Sequence, residues 1–114
     1  MDRRVRLVVA LLDAQWRRSC CVSELARAVG LGASRLEHLF KAHENTTIRN
    51  FIRERRLREA AEMLACSEER ISVICFGVGF RDVSNFNHAF KKRFGVSPRE
   101  YRDARRNEPE NERD

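Results

Sequence analysis

Two sets of three side chains in this sequence could act together: Ser34, His38 and Lys41, and then Ser84, His88 and Lys91, the same pattern moved on by 50 residues. Both read Ser-x-x-x-His-x-x-Lys. At about 100° per residue these positions share one face of a helix. The hydroxyl and the imidazole can each give or accept a hydrogen bond, and the ammonium adds a positive charge. Such a face suits an anion whose edges offer donors and acceptors, as a nucleic acid does. The residues between them differ: Arg35 stands against Asn85, and Glu37 against Asn87. Arg35 suits guanine or phosphate, and Asn85 can pair with adenine through two hydrogen bonds. The plainer explanation is that exposed helix faces are polar anyway and that three matched positions are a cheap coincidence.

Other chemistries find little support. The cysteines, Cys20, Cys21, Cys66 and Cys75, show no C-x-x-C spacing and no histidine at zinc-ligand distance in the chain. They read as ordinary thiols, with the adjacent pair Cys20 and Cys21, in a loop with Ser19, as the one place for redox chemistry. There is no glycine-rich phosphate loop and no nucleophile with an evident base, so neither a cofactor nor an enzymatic activity is expected.

Charge points the same way as the triplets. Lysine and arginine total 23 against 17 acids, a formal net charge of +6, which favours a polyanionic partner. The last eight residues, Asn107 to Asp114, hold four acids and one arginine, so the part before them is more basic still. A chain of 114 residues with 42% hydrophobic residues can bury one modest core or two small ones. No stretch is apolar enough to span a membrane. The opening, MDRRVRLVVALLDAQWRR, resembles a leader only superficially, since Asp13, Gln15 and Arg17 interrupt it. Val5, Val8, Val9, Leu12 and Trp16 fall on one helical face, so an amphipathic helix and a cytoplasmic location are expected.

The elements that must position the triplets are clearest from Ile71 onward. Ile71, Ile74, Cys75 and Val78 form the apolar stripe of a short helix, and Gly79 ends it. Asp82 caps a second helix. Val83, Phe86, Ala89, Phe90 and Phe94 line its inner face, Gly95 stops it, and Ser97 with Pro98 opens a third. That is a helix-turn-helix unit. At these residues the chain resembles the AraC/XylS family of bacterial transcription regulators. The family's I-x-x-I-A helix, G-F turn, F-x-x-x-F-K-K helix and G-x-S-P-x-x-Y-R end are matched by Ile71 with Ile74 and Cys75, by Gly79 and Phe80, by Phe86 with Phe90, Lys91 and Lys92, and by Gly95, Ser97, Pro98, Tyr101 and Arg102. Cys75 replaces the usual alanine, and His88 replaces a common arginine.

The unit occurs twice. Val22, Leu25, Ala26 and Gly30 precede Ile71, Ile74, Cys75 and Gly79 by 49 residues, and Leu36 and Phe40 precede Phe86 and Phe90 by 50. One residue has been added inside the second turn. The resemblance implies the same pair of helix-turn-helix copies over roughly Val5 to Arg102, and it assigns base reading to the second helix of each. Between the copies, Thr46 or Thr47 caps a long helix without glycine or proline. Its apolar side moves midway from Ile48, Phe51 and Ile52 to the nearly opposite Leu57, Ala60, Ala61 and Leu64. A helix serving one core would not do this. Arg53, Arg55, Arg56 and Arg58 along it are expected to be solvated or ion-paired, for instance with Glu54 or Glu59.

The expected fold is all-α, with about seven helices. An N-terminal helix-turn-helix unit spans residues 3–45, a connecting helix 46–65, a C-terminal unit 66–105 and a disordered tail 106–114. The expected function is sequence-specific, double-stranded DNA binding in transcription regulation, with reading helices at about 33–43 and 82–94. Base-contact candidates are Ser34, Arg35, His38, Ser84, Asn85 and His88. Phosphate-contact candidates are Lys41, Thr47, Lys91, Lys92 and Ser97, the two hydroxyl residues because free N–H groups at helix starts bind phosphate. No metal is expected, the chain is taken as a monomer, and RNA polymerase is a second candidate partner. A ligand-sensing domain has no room in this length, so the chain is either a stand-alone regulator or the DNA-binding part of a longer protein. The rival function is a non-catalytic protein-interaction module that kept the fold without base reading. Since one chain joins the copies, a monomer should select an asymmetric direct repeat whose segments lie about one helical turn, roughly 10 base pairs, apart.

Counterion release should then govern affinity. With roughly 6 to 10 phosphates engaged, log K should fall against log salt with a slope near −5 to −9, and titrations between low and moderate salt measure it.

Overall fold

The computed structural model describes residues 2–18 and 21–106, and among these it contains seven helices and no strand. In chain order they are α1 (Arg3–Gln15), α2 (Val22–Ala28), α3 (Ala33–Glu44), α4 (Ile48–Cys66), α5 (Ile71–Gly77), α6 (Val83–Phe94) and α7 (Pro98–Arg106). Ser19, Cys20 and Asn107 to Asp114, on which the loop, redox and tail expectations fell, lie outside the described residues. Arg106, expected to begin the tail, is instead the last residue of α7, where its guanidinium pairs with Glu68. The chain forms two compact units, one up to Arg55 and one from Arg56.

Unit 1 is built on the apolar stripes of α1, α2 and α3. Val5, Val8 and Leu12 of α1, Leu25 and Ala26 of α2, and Leu36 and Phe40 of α3 are buried together with Ile48 and Ile52 from the first turns of α4. Asp2 caps α1, its carboxylate accepting the Arg4 amide at 2.7 Å. The hydrogen bond from the Arg4 side chain, followed by that amide bond, pulls the Asp2 carboxyl down to about 2. Near the end of α1, Asp13 accepts a bond from Arg55 at 2.8 Å. Arg55, expected to be solvated or paired with Glu54 or Glu59, thus reaches an acid 42 residues away in sequence.

Unit 2 repeats the plan with other side chains. Leu57, Ala60, Ala61 and Leu64 of α4, Ile74 and Cys75 of α5, and Phe86, Ala89 and Phe90 of α6 are its buried apolar residues, with Val78 in the turn. Leu57, Ala60, Ala61 and Leu64 follow Val5, Val8, Val9 and Leu12 by 52 residues. The later turns of α4 therefore do for unit 2 what α1 does for unit 1. The correspondence also runs past the reading helices, where Ile48, Phe51 and Ile52 precede Pro98, Tyr101 and Arg102 by 50. Phe51 meets Phe40 edge-on at 5.6 Å between ring centres, and Tyr101 meets Phe90 edge-on at 5.5 Å. The start of α4 closes unit 1 as α7 closes unit 2.

One correspondence breaks this likeness. Ile52 is an aliphatic core residue, whereas Arg102 is a buried cation, 9% exposed. Its guanidinium donates to the Leu64 carbonyl at 3.1 Å and to the Ser67 carbonyl at 3.2 Å. Those oxygens lie at the C-terminal end of α4, where carbonyls lack helical partners and the helix dipole is negative. Arg102 thus ties α7 to the end of α4, and its burial is compensated by charge-assisted hydrogen bonds.

The turns follow the glycines. Gly79, at φ +103°, sits where the chain leaves α5, and the Phe80 amide reaches back to the Cys75 carbonyl at 3.1 Å. Gly30 occupies the matching place after α2, at φ +76°. After α6 the left-handed residue is Gly95, at φ +83°, and after α3 it is Asn45, at φ +59°. Asparagine tolerates this conformation better than other residues with a Cβ.

Two outcomes follow for stability. Arg102→Ala leaves two carbonyls without their cationic donor and should cost about 1.5–3 kcal/mol, with faster amide exchange at the end of α4. At Gly95 an added Cβ would meet nothing within 4 Å, so Gly95→Ala should cost only the left-handed strain, about 1–2 kcal/mol in denaturant unfolding. Gly95→Asn should recover most of that loss, as Asn45 does after α3.

Candidate nucleic-acid interface

The rotation of α3 and α6 about their axes decides what they present. Leu36 and Phe40 are fully buried on α3, and Phe86 and Phe90 on α6, in each case four residues apart and so on one side. The opposite side is exposed. Ser34, Arg35, His38 and Lys41 all lie at the surface of α3, and Ser84, Asn85, His88, Lys91 and Lys92 at the surface of α6. The structure thus brings each expected triplet together on one helical face. Arg35 and Asn85, at about 100° from the serines, stand on one flank of it.

The aromatic side of α6 is unusually well anchored. Phe86 lies 5.2 Å from Phe80 and 5.8 Å from Phe90, and Phe94 lies 4.5 Å from Phe90 and 5.6 Å from Tyr101. Such ring contacts add about 0.5–1.5 kcal/mol each beyond area burial. Asp82 holds the start of α6 by accepting the Asn85 amide at 3.0 Å. The last turn carries Lys91, Lys92 and Arg93, where cations complement the helix dipole.

Thr47 and Ser97 have their hydroxyls engaged within the fold. Thr47 accepts the Asn50 amide at 3.1 Å, and Ser97 accepts the Glu100 amide at 3.1 Å. The Glu100 carboxylate in turn accepts the Ser97 amide at 3.0 Å, completing a capping box. The Ser97 amide, and after it the Ser97 hydroxyl, lower the Glu100 carboxyl below its usual range. Both residues are helix caps whose hydroxyl oxygens accept these bonds, at the positive ends of α4 and α7.

A groove of about 510 Å³ runs beside α6 in unit 2. His88 and Lys91 of the triplet line it, joined by Asn87 from α6 and by Ser97 and Arg99 from the start of α7. Its apolar lining comes from Ile71, Val83 and Pro98. Asn87, which the sequence marks as a place where the copies differ but not as a contact, and Arg99 join the candidates here; Arg99 gives no signal until α7 is packed.

Cys21 is exposed at the start of α2, its sulfur 2.8 Å from the Ser23 hydroxyl, and that hydrogen bond lowers the thiol below its usual range. Cys75 is buried, and burial raises it. Among the described residues no group of three or more side chains could hold a metal ion, and no helix is long and apolar enough to cross a membrane.

Comparison with known proteins agrees with this geometry. A helix-turn-helix domain family matches residues 25–104. The raffinose operon transcriptional regulatory protein RafR of Pediococcus pentosaceus is 33% identical over 96 residues, covering 84% of this chain and 35% of that protein. The chain therefore spans about a third of the length of such curated relatives. An AraC-type DNA-binding-domain regulator from Chromobacterium violaceum superimposes with a TM-score of 0.83 at 26% identity, over 93% of this chain and 95% of its own. The DNA-binding domain of AdpA, solved in complex with a target DNA, shares the fold with a TM-score of 0.84 at 21% identity, over 92% and 95% of the two chains. With its duplicated helix-turn-helix plan and a family match over most of its length, the chain belongs to the AraC/XylS family of helix-turn-helix proteins.

Proposed function

We propose that the chain binds double-stranded DNA sequence-specifically and regulates transcription, with α3 and α6 each entering a major-groove segment. The observation that carries this reading is the pair of exposed faces, Ser34, His38 and Lys41 on α3 and Ser84, His88 and Lys91 on α6, each opposite a fully buried apolar row. A helix held from behind by large side chains, with donors, acceptors and cations in front, has what major-groove docking requires. The relatives support it, since RafR is by name a transcriptional regulatory protein and the AdpA domain was solved on its target DNA.

In this reading Ser34, His38, Ser84 and His88 exchange hydrogen bonds with base edges, while Arg35 favours guanine and Asn85 adenine. Lys41, Lys91 and Lys92 hold phosphates, and the capped starts of α4 at Thr47 and α7 at Ser97 add their helix dipoles. The chain acts as a non-catalytic monomer in the cytoplasm, with RNA polymerase as its second partner. A second reading, a protein-interaction module, draws on Val73 and Phe76, which are exposed on α5 at the places where unit 1 carries Glu24 and Arg27.

Selection from a random DNA pool separates the two, because a protein-only module enriches nothing. The DNA reading expects a selected site with two segments that share a short core, and a palindrome would contradict it. His38→Ala and His88→Ala should each relax base preference in one segment alone, by about 1–3 kcal/mol.

A further inference from the structure

Of the 23 basic residues in the chain, twenty are arginines and three are lysines, Lys41, Lys91 and Lys92. The three lysines all lie exposed in the last turns of the reading helices, Lys41 on α3 and Lys91 with Lys92 on α6. No other position in the sequence is a lysine. The two kinds of cation differ chemically. A guanidinium stays protonated under all ordinary conditions, whereas an ammonium can release a proton and become a nucleophile. We propose that Lys41, Lys91 and Lys92 are acylation sites through which an acyl phosphate or an acyl thioester weakens DNA binding. The inference rests on the DNA-binding reading above, in which these side chains hold phosphates.

In each event a deprotonated lysine Nζ attacks the acyl carbonyl carbon. An N–C bond forms and the C–O bond to phosphate, or the C–S bond to the thiol, breaks. The phosphate or thiolate leaves with the electron pair, and the proton on nitrogen passes to water. The product is a neutral amide, so one positive charge is lost each time. Three events remove three charges from a formal net charge of +6, and all of that loss falls on the outward faces of α3 and α6. The fold has little to lose. Among the described residues none of the three ammonium groups makes a hydrogen bond or an ion pair, and Glu100 feels the charge of Lys91 without pairing with it. Lys91 lines the groove of about 510 Å³ beside α6, which leaves room for a small acyl donor. Arg35, Arg49 and Arg99 keep their charge, so acylation subtracts a fixed number of phosphate contacts and leaves the others in place.

The test treats the full chain with acetyl phosphate, maps the modified residues by peptide mass spectrometry, and measures affinity for a duplex bearing the selected site by fluorescence anisotropy over a range of salt. Acetylation of all three lysines should weaken binding by roughly tenfold or more and make the salt slope shallower by about three, one for each lost phosphate contact. Duplex bound before treatment should shield the three lysines from the reagent. A chain carrying Lys41→Arg, Lys91→Arg and Lys92→Arg should show the same affinity before and after treatment, which separates the lysines from the N-terminal amine. Unchanged affinity and slope in the acetylated chain, or lysines that react as fast in the complex as in the free chain, would overturn the proposal while leaving DNA binding intact. So would an equal fall in the arginine-substituted chain. An untreated chain that retains its helical circular dichroism and binds no duplex would overturn the DNA reading and this inference with it.

Discussion

The structure depends on a pair of large apolar side chains four residues apart on each reading helix, Leu36 with Phe40 and Phe86 with Phe90, all four fully buried. Burying such a side chain is worth about 1.5–3 kcal/mol, while an exposed polar residue contributes little either way. Rotating α3 or α6 about its axis would expose these side chains and forfeit that burial energy, so the helix is held in one rotational setting. The outward residues are then free to vary, because nothing in the core depends on them. This separation lets one fold carry Arg35 and Glu37 on one face and Asn85 and Asn87 on the other.

The setting would be of no use if the helices could slide, and their ends prevent it. Asp82 caps α6 and Gly95 stops it, while Asn45 stops α3 and leads within three residues to α4, which Thr47 caps. These local bonds are modest, about 1 kcal/mol apiece, but each acts at one residue and so defines a boundary that hydrophobic burial leaves vague. The two copies meet the same requirements with different residues. A left-handed stop is glycine in one and asparagine in the other, and the position that is Ile52 in unit 1 is a buried arginine in unit 2. That arginine is tolerated because its acceptors are carbonyls that lack helical partners at the end of α4.

Much of this was legible in the residues themselves. Spacing of three and four in Val5, Val8 and Leu12, or in Ile71, Ile74 and Cys75, is a local property, and the helices formed where it occurs. The same periodicity told which side of α3 and α6 would face outward, since burying one stripe exposes the opposite one. The midway change of face in α4 was readable for the same reason. Sequence by itself therefore determined the helical order, the duplication and the outward triplets, because each follows from periodicity within one helix.

The tertiary structure decided what contacts between helices make of these elements. Arg55 reached Asp13 on another helix, and Arg102 found carbonyls 35 and 38 residues away. Arg99 entered the groove beside α6 only because α7 starts there. A long, flexible side chain can reach many partners, and which one it takes depends on the distances set when helices pack, a quantity that no spacing along a single helix encodes.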